Sequence, residues 1–191
     1  RTVDGVRKAL RKKLAREILN GAGGTNELVG IFTDKATAIN PATDLSINEI
    51  NKDTLDEIIY SYGGDEDVED EAVLILSKDD LRLFSQVRYE DGRKVYDIVN
   101  NGNTGTINGV QFIINSTAGS MATSDEGAYL MAYGPLSNYE MAIFSPTEVK
   151  RSDDFKFKEG MIAHRGSVFA GGNVVAHNGF LRIKKGTIPE A

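Results

Sequence analysis

The chain has 191 residues, a mass of 20.8 kDa and a formal charge of −6 at pH 7. It has no cysteine, which excludes disulfide scaffolds, cysteine nucleophiles, thiolate metal sites and iron–sulfur clusters in this chain. No apolar run approaches the roughly 18 residues of a membrane-spanning helix, and the first residues do not resemble a signal peptide. With 40% hydrophobic and 26% charged residues, the composition predicts one folded domain or two intertwined ones.

The charge is unevenly distributed along the chain. Residues 1–19 contain seven basic and two acidic side chains, whereas residues 44–71 contain eleven acidic and one basic. The first segment therefore carries +5, the second −10 and the remainder −1. Opposed patches of this kind are typical of surfaces that contact charged neighbours, and two ordinary solvated faces would give the same pattern.

Apolar residues at spacings of three and four predict an amphipathic helix at the N-terminal end. Most basic residues lie off its apolar stripe, which comprises Val3, Val6, Leu10, Leu14 and Ile18. The helix is predicted to end at Asn20, with Gly21 in the left-handed conformation of a C-cap. Because the pattern begins at Arg1 with no N-cap ahead of it, we expect the chain to start inside a longer helix of a larger polypeptide.

The next segments combine short apolar runs with a second helical pattern. Residues 28–32 are apolar and predicted to be extended. A capping-box pattern at residues 46–49 is followed by apolar residues at helical spacing. This predicts a helix from about residue 51 to 62 that stops at Gly63.

A continuous β-rich run at Ala72–Leu76 predicts one buried strand. Ser77 and Asp80 then have the spacing of a helix cap, and apolar residues at helical spacing follow them. Residues 91–92 and 100–105 are rich in Gly, Asn and Asp and predict turns.

The C-terminal half changes to short β-type runs separated by Gly, Pro, Asn and Ser, at residues 109–115, 128–133, 139–144 and 180–184. Residues 160–176 are apolar and Gly-rich without a helical period, which predicts one or two long strands with bends. A helix, then mixed segments, then strands favours an α+β fold in which sequence-distant pieces complete shared sheets.

No pattern in the sequence predicts an active site. The Gly-rich loop at residues 20–25 follows a helix and lacks the Gly-Lys-Ser/Thr of a phosphate loop, so it predicts a turn. His164 and His177 have no third ligand at a zinc-site spacing, and no nucleophile elbow occurs. An acidic run could bind calcium but lacks the twelve-residue loop pattern, and it comprises Asp65, Glu66, Asp67, Glu69, Asp70 and Glu71. We therefore predict no catalytic residue, metal or cofactor.

Nucleic-acid binding by the basic helix is opposed by the charge of −6 and a pI near 5.0. The basic face could contact DNA weakly or meet the acidic segment of a neighbouring subunit, and we favour the second. The predicted contact faces are therefore Arg7, Lys8, Arg11 and Lys12 on one side and Asp65, Glu66, Asp67, Glu69 and Asp70 on the other.

Five stretches follow one another in an order that carries a resemblance: residues 18–31, 72–93, 108–114 (NGVQFII), 129–139 (YLMAYGPLSNY) and 174–187. The first stretch resembles the end of the spine helix and its loop, and the second resembles a strand and helix leading to Asp-Gly-Arg. The third resembles a strand, the fourth a strand with the turn after it, and the fifth the terminal strand of one family. That family is the tailed-bacteriophage major capsid proteins of the Hong Kong ninety-seven type, found in phages and prophages.

The resemblance implies a two-domain capsid fold. Residues 1–30 and 142–172 would form a peripheral domain of spine helix and long strands, and residues 31–141 and 173–191 a mixed α/β axial domain. The family's N-terminal arm and extended loop would precede Arg1. Some relatives cross-link subunits through an Asn in the peripheral domain, and residues 157–161 contain none.

The resemblance also implies a function. The chain would be a structural protein, not an enzyme, that self-assembles into hexamers and pentamers of an icosahedral shell enclosing double-stranded DNA without sequence-specific binding. Its other partners would be scaffold, protease and portal proteins, with no membrane, and it would be found in the virion capsid and, during assembly, in the host cytoplasm. An encapsulin-like compartment shell and a metal-dependent hydrolase using the acidic run remain alternatives.

Overall fold

The computed structural model describes residues 2–63, 71–159 and 161–187. Within these ranges the helices are α1 (Thr2–Asn20), α2 (Thr54–Ser61) and α3 (Lys78–Gln86). The strands are β1 (Leu45–Ile47), β2 (Ala72–Leu76), β3 (Ile98–Asn101), β4 (Thr104–Ile107), β5 (Val110–Ile114), β6 (Tyr129–Pro135), β7 (Tyr139–Ile143), β8 (Glu148–Lys156), β9 (Met161–Ser167), β10 (Ala170–Val174) and β11 (Leu181–Lys185). This mixture confirms the predicted α+β class.

The described strands form one large sheet and two small ones. The main sheet has the order β1-β11-β6-β2-β5-β4-β3, with β1 parallel to β11, β2 parallel to β5 and the other neighbours antiparallel. Strand β11, the last described strand, therefore lies between β1 from the first third of the chain and β6 from the last third, so pieces distant in sequence share one sheet as the α+β prediction requires. Two antiparallel pairs, the β7–β10 ribbon and the β8–β9 ribbon, are separate from the main sheet.

The main sheet is covered on both faces because its central strands alternate between two cores. Leu74 and Leu76 of β2 pack in the cluster that contains residues of α2 and α3, whereas Ile75 packs in a second cluster. This alternation follows from the period of two along a strand. The second cluster joins the sheet to the end of α1 and the following loop and contains Leu19, Ile31, Phe32, Ala36, Ile39, Ala118, Ala132, Val174 and Phe180.

The C-terminal end of α1 is closed by the loop that follows it. The helix ends at Asn20 as predicted, but Gly21 is not in the left-handed conformation. A Cβ on Gly21 would overlap the Leu28 carbonyl oxygen, so glycine is required there for close approach. The prediction of an extended segment at residues 28–32 is confirmed only around Val29, which forms an isolated antiparallel bridge with Ala22, whereas residues 31–32 form a turn.

The loop turns because it hydrogen-bonds the free carbonyls of α1. The amide of Ile31 donates to the Ile18 oxygen and the amide of Phe32 to the Leu19 oxygen, each at 2.9 Å. The last carbonyls of a helix have no partner within it, so this contact satisfies two of them. A β-type composition was thus overridden by the need to close a helix end.

Of two further predictions for the starts of the helices that pack on the main sheet, one is confirmed and one is wrong. The cap of α3 is confirmed, since the Ser77 hydroxyl accepts a hydrogen bond of 3.2 Å from the Asp80 amide. The capping box predicted at residues 46–49 is wrong, because Ser46 pairs with Lys184 as part of β1 and helix α2 begins only at Thr54. Pairing with β11 therefore outweighed the local capping pattern.

Elsewhere the strand predictions are largely confirmed with shifted ends. Residues 160–176 contain β9 and β10, as expected for long strands with a bend. The turn at residues 91–92 is present, with Gly92 at φ 83°. Residues 100–105 were predicted as a turn throughout, but the turn is confined to Gly102 and Asn103 between β3 and β4. Strand β8 was not predicted.

Candidate interaction surfaces

The basic residues predicted as a contact face lie on the exposed side of α1. The opposite side packs on the β8–β9 ribbon, where a Cβ on Gly166 would lie 2.5 Å from Val6 Cγ1 and 2.9 Å from Leu10 Cδ1. Because this contact fixes the rotation of the helix, its charged side faces outward, and the exposed cations there include Arg7, Lys8, Arg11 and Lys12. The structure therefore brings these four residues together on one surface.

The acidic residues predicted as the second contact face lie outside the described residues; they are Asp65, Glu66, Asp67, Glu69 and Asp70. Glu71, which follows them directly, is described and exposed, and on their N-terminal side the nearest described acidic side chains lie on α2. Asp56 and Glu57 are exposed there, next to Tyr60, whose surface is 84% exposed. Helix α2 thus presents carboxylates and an aromatic ring to solvent.

The β7–β10 ribbon carries large apolar side chains in water. Phe144 is 75% exposed and Phe169 is 68% exposed, and the two are neighbours because the Phe144 amide donates to the Phe169 oxygen at 2.8 Å. Ile143, at the end of β7, is also exposed. A cluster of exposed apolar side chains of this kind is typical of a surface that another molecule covers. The sequence predicted these strands but not their exposure.

A buried ion pair in the main sheet was missed by the sequence reasoning. The Arg182 and Asp44 side chains are each 1% exposed, and they pair through Nε to Oδ1 at 2.8 Å and Nη2 to Oδ2 at 3.1 Å. The Tyr129 hydroxyl donates to Asp44 Oδ2 at 2.8 Å, and its ring centre lies 4.8 Å from the guanidinium carbon. The ring of Phe32 stacks on Tyr129 with centroids 5.3 Å apart.

This cluster holds together segments that are distant in sequence. Asp44 precedes β1, Tyr129 begins β6 and Arg182 lies in β11, so the pair fixes the order of three strands at one sheet edge. Burial, with a smaller contribution from the Asp44 hydrogen bond, raises the pKa of Tyr129 to about 12. No sequence signal marked Arg182 as buried, because it alternates with the apolar Leu181 and Ile183 as an outward-facing residue of a strand does.

Asp80 is a second buried charge that serves the fold. Its Oδ1 accepts a hydrogen bond of 2.8 Å from the Met121 amide, whereas its Oδ2 has no hydrogen-bond partner. Burial raises the pKa of this carboxyl, and the hydrogen bonds from Met121 and Ser120 partly oppose the shift. Asp80 therefore attaches the loop around Met121 to the start of α3 at an electrostatic cost.

The candidate ligands considered in the sequence do not assemble into a site within the part of the chain that the structure describes. No group of three His, Asp or Glu side chains there could hold a metal ion. His164 lies in β9 opposite Arg151, and His177 contacts Asn178 at 3.4 Å. Among the described helices, none combines the length and apolar character needed to cross a membrane.

The Phage capsid family profile matches residues 3–185. The chain belongs to the phage capsid family. It is accordingly a structural polypeptide rather than an enzyme, as the sequence predicted, and the hydrolase alternative is not retained. A search of curated protein sequences found no match.

Solved structures show which fold the family member adopts. The capsid of a native GTA particle has 15% identity, a TM-score of 0.69 and coverage of 97% of this chain and 65% of that one. The holo-SrpI encapsulin complex of Synechococcus elongatus PCC 7942 has 10% identity, a TM-score of 0.64 and coverage of 98% of this chain and 65% of that one. A structure of Gordonia phage Cozz has 12% identity, a TM-score of 0.59 and coverage of 97% of this chain and 62% of that one. The predicted capsid fold is confirmed, and the chain spans about two thirds of the length of these relatives.

Proposed function

We propose that this chain is the shell-forming body of a major capsid protein of the Hong Kong ninety-seven type. Copies of it assemble into hexamers and pentamers of an icosahedral phage head that encloses double-stranded DNA. The observation that carries the proposal is the capsid-family match over residues 3–185. Scaffold, protease and portal proteins are the further partners, the assembled protein is in the virion capsid, and assembly takes place in the host cytoplasm.

The exposed apolar surface of the β7–β10 ribbon supports assembly from identical copies. Phe144 and Phe169 are large side chains in water in the isolated chain, and a contact with a neighbouring subunit would bury them. A shell built of rings needs contacts between different patches of successive subunits, because such heterologous contacts close by rotation. The ribbon is one surface available for such a contact, and the basic face of α1 is another.

We also propose the two-domain division, with residues 1–30 and 142–172 peripheral and residues 31–141 and 173–191 axial. Every strand of the main sheet comes from the second set, which supports treating that set as one unit. Helix α1, β8 and β9 come from the first set and pack together. The β7–β10 ribbon crosses both proposed boundaries, so it would be the hinge region between the units.

Electron microscopy of the full-length protein after expression tests the proposed function. We expect closed shells with five-fold and six-fold capsomers, whose formation depends on salt because charged faces contribute to assembly. Only amorphous or monomeric material under all salt conditions would contradict the proposal.

An encapsulin-like compartment shell is a second candidate, favoured by the structural similarity to the holo-SrpI encapsulin complex. The two candidates share a fold and differ in what the shell encloses. Nuclease protection and protein composition of particles purified from the native source distinguish them. Protected double-stranded DNA supports the phage head, whereas an enclosed enzyme and no DNA support the compartment.

A further inference from the structure

Helix α2 has one buried side and one side that nothing in the described chain covers. Thr54, Leu55 and Ile58 are buried and pack toward the main sheet. The opposite side, which we call the α2 outer face, consists of exposed residues at spacings of three and four: Asp53, Asp56, Glu57 and Tyr60. At 100° per residue these four side chains fall on one face of the helix.

Tyr60 distinguishes this face from an ordinary solvated one. It is 84% exposed, whereas Tyr62, two residues later, is buried and donates its hydroxyl hydrogen to the Gly179 oxygen at 3.1 Å. The α2 outer face therefore presents a large amphipathic ring that contributes nothing to the core. Tyrosine is one of the residue types enriched among the side chains that dominate the binding energy of protein interfaces.

The exposed side of α1 is complementary to this face in charge and in length. Four cations, Arg7, Lys8, Arg11 and Lys12, occupy about 7.5 Å of helix, and the residues of the α2 outer face occupy about 10 Å at 1.5 Å per residue. Three carboxylates can pair with these cations. An arginine can in addition lie over the Tyr60 ring, where a guanidinium is attracted by the π-system.

The two faces cannot satisfy each other within one chain. Leu55 and Ile58 of α2 pack in the cluster on one side of the main sheet, and Leu19 of α1 packs in the cluster on the other side. On the N-terminal side of Leu19, helix α1 packs along the β8–β9 ribbon, where Val6 and Leu10 lie against Gly166. Since the sheet lies between the two helices, a contact between their charged faces requires two copies.

We propose that the α2 outer face binds the exposed basic face of α1 on a second copy of this chain. The contact is heterologous, because different patches of the two copies meet, and it can therefore repeat around a ring. The proposal rests on the proposed function only in taking a second copy as the partner. It assigns α2, rather than residues 65–70 alone, to the acidic side of the contact.

Charge reversal in the full-length protein tests the contact. The α2 variant is Asp56→Lys/Glu57→Lys and the α1 variant is Arg7→Glu/Arg11→Glu. Each should weaken self-association at low ionic strength by on the order of tenfold or more, because like charges then face each other. The four substitutions combined in one chain should restore association. Asp125→Lys/Glu126→Lys is the matched control, since it reverses an exposed Asp-Glu pair elsewhere and should leave association unchanged.

Sedimentation velocity measures association, and circular dichroism checks that α2 and α1 remain folded. Association of the α2 variant equal to that of the Asp125→Lys/Glu126→Lys control would overturn the contact while leaving the proposed shell intact. A combined variant that is folded but does not reassociate would also overturn it. Wild-type protein that never associates would overturn both proposals.

A cysteine experiment avoids any effect of reversed charge on folding. The chain contains no cysteine, so single substitutions within it place a thiol at one chosen position. Mixing a Glu57→Cys variant with an Arg11→Cys variant under mild oxidation should give a disulfide-linked heterodimer as the main product. An Asp125→Cys variant mixed with Arg11→Cys is the control. Equal cross-linking in the two mixtures, or none in either, contradicts the contact.

Discussion

The main sheet and the β7–β10 ribbon use the same residue type in opposite ways. Phe84 and Phe112 are fully buried against the main sheet, whereas Phe144 and Phe169 of the ribbon are mostly exposed. A buried phenylalanine contributes to the folding of one chain, whereas an exposed one contributes only when a neighbour covers it. The difference supports our proposal that a neighbouring subunit covers the ribbon, whereas these two phenylalanines of the main-sheet core are already buried within one chain.

Ion pairs in the main-sheet region and in the other small ribbon, β8–β9, differ in the same way. Arg182 and Asp44 pair inside the main-sheet region with side chains 1% exposed. In the β8–β9 ribbon, Lys150 and Glu148 pair at 3.2 Å with side chains 76% and 54% exposed. A desolvated pair is strongly destabilising to break, whereas an exposed pair contributes little. Each difference can be tested with matched substitutions.

The largest expected contrast is between two Phe→Ala substitutions. Phe84→Ala should lower the free energy of unfolding by about 3–5 kcal/mol, because it leaves a cavity between α3 and the main sheet. Phe144→Ala should change the free energy of unfolding by no more than about 0.5 kcal/mol, because the Phe144 side chain is already mostly exposed and its removal loses little buried area. Urea denaturation of the unassembled subunit measures both.

In contrast to its small expected effect on subunit stability, Phe144→Ala is expected to have a large effect on assembly. Phe144→Ala should impair the formation of shells from folded subunits, as seen by electron microscopy. Phe144→Leu is its control, since it retains a large apolar side chain and should assemble. A loss of subunit stability in Phe144→Ala comparable to that in Phe84→Ala would break the distinction between the two regions.

The second contrast concerns the ion pairs. Arg182→Met should lower the free energy of unfolding by about 3–5 kcal/mol, because Asp44 is left charged and buried. Lys150→Met, which removes the cation of the exposed pair, should cost about 0–1 kcal/mol. Thermal or urea unfolding of both variants at neutral pH makes the comparison.

A double variant separates the cost of an unpaired charge from the loss of packing. Asp44→Asn added to Arg182→Met removes the buried charge and retains an oxygen that can accept from the Tyr129 hydroxyl. We expect it to recover part of the lost stability. If it is no more stable than Arg182→Met, the unpaired carboxylate is not the source of the loss.

The third contrast tests the junction between α1 and the β8–β9 ribbon. A Cβ on Gly166 would lie 2.5 Å from Val6 Cγ1, so Gly166→Ala should displace α1 and cost about 1–3 kcal/mol locally. Gly5→Ala is the control. Gly5 also lies in α1 and has open space around it, so an alanine there should be neutral or stabilising, because alanine favours a helix more than glycine does.

Hydrogen exchange locates the effect of Gly166→Ala. We expect faster exchange in the N-terminal half of α1 and in β9, with unchanged protection of β2 and β6 in the main sheet. Equal loss of protection in both regions would mean that the ribbon and the main sheet unfold as one unit.

The sequence predicted elements whose cause is local. The apolar stripe of α1, the buried run of β2 and the Ser77 cap of α3 each depend on residues within a few positions, and each is present. The exposed basic face of α1 was predictable for the same reason, because the stripe fixes which side of the helix is buried.

Features that depend on distant partners were not predictable. Ser46 has a capping pattern, but its pairing with β11, far away in sequence, makes it part of a strand. Asp44 and Arg182 are 138 residues apart, so no spacing rule could join them. The loop after α1 turns to meet helix carbonyls rather than extending, because Ile31 and Phe32 donate to them.

The smallest expected effect concerns Asp80, the costly charge of the main-sheet region. Its pKa is raised by burial, so the folded state binds a proton more readily than the unfolded state. The contribution of Asp80 to stability is therefore greatest below its unfolded pKa, near 4, and is lost as the pH rises through its folded pKa. Asp80→Asn should consequently lower stability by no more than about 1 kcal/mol at pH 7, where the charge is already unfavourable.

The pH dependence gives this prediction its sign. As the pH falls from 7 toward about 4, the wild type should gain stability relative to Asp80→Asn, because only the wild type takes up the proton on folding. Asp125→Asn is the control, since Asp125 is exposed and is not among the groups that act on Asp80, and its difference from the wild type should not follow this trend. Urea unfolding at several pH values measures both differences. A wild type that loses stability relative to Asp80→Asn on acidification would mean that the hydrogen bond from Met121 outweighs burial.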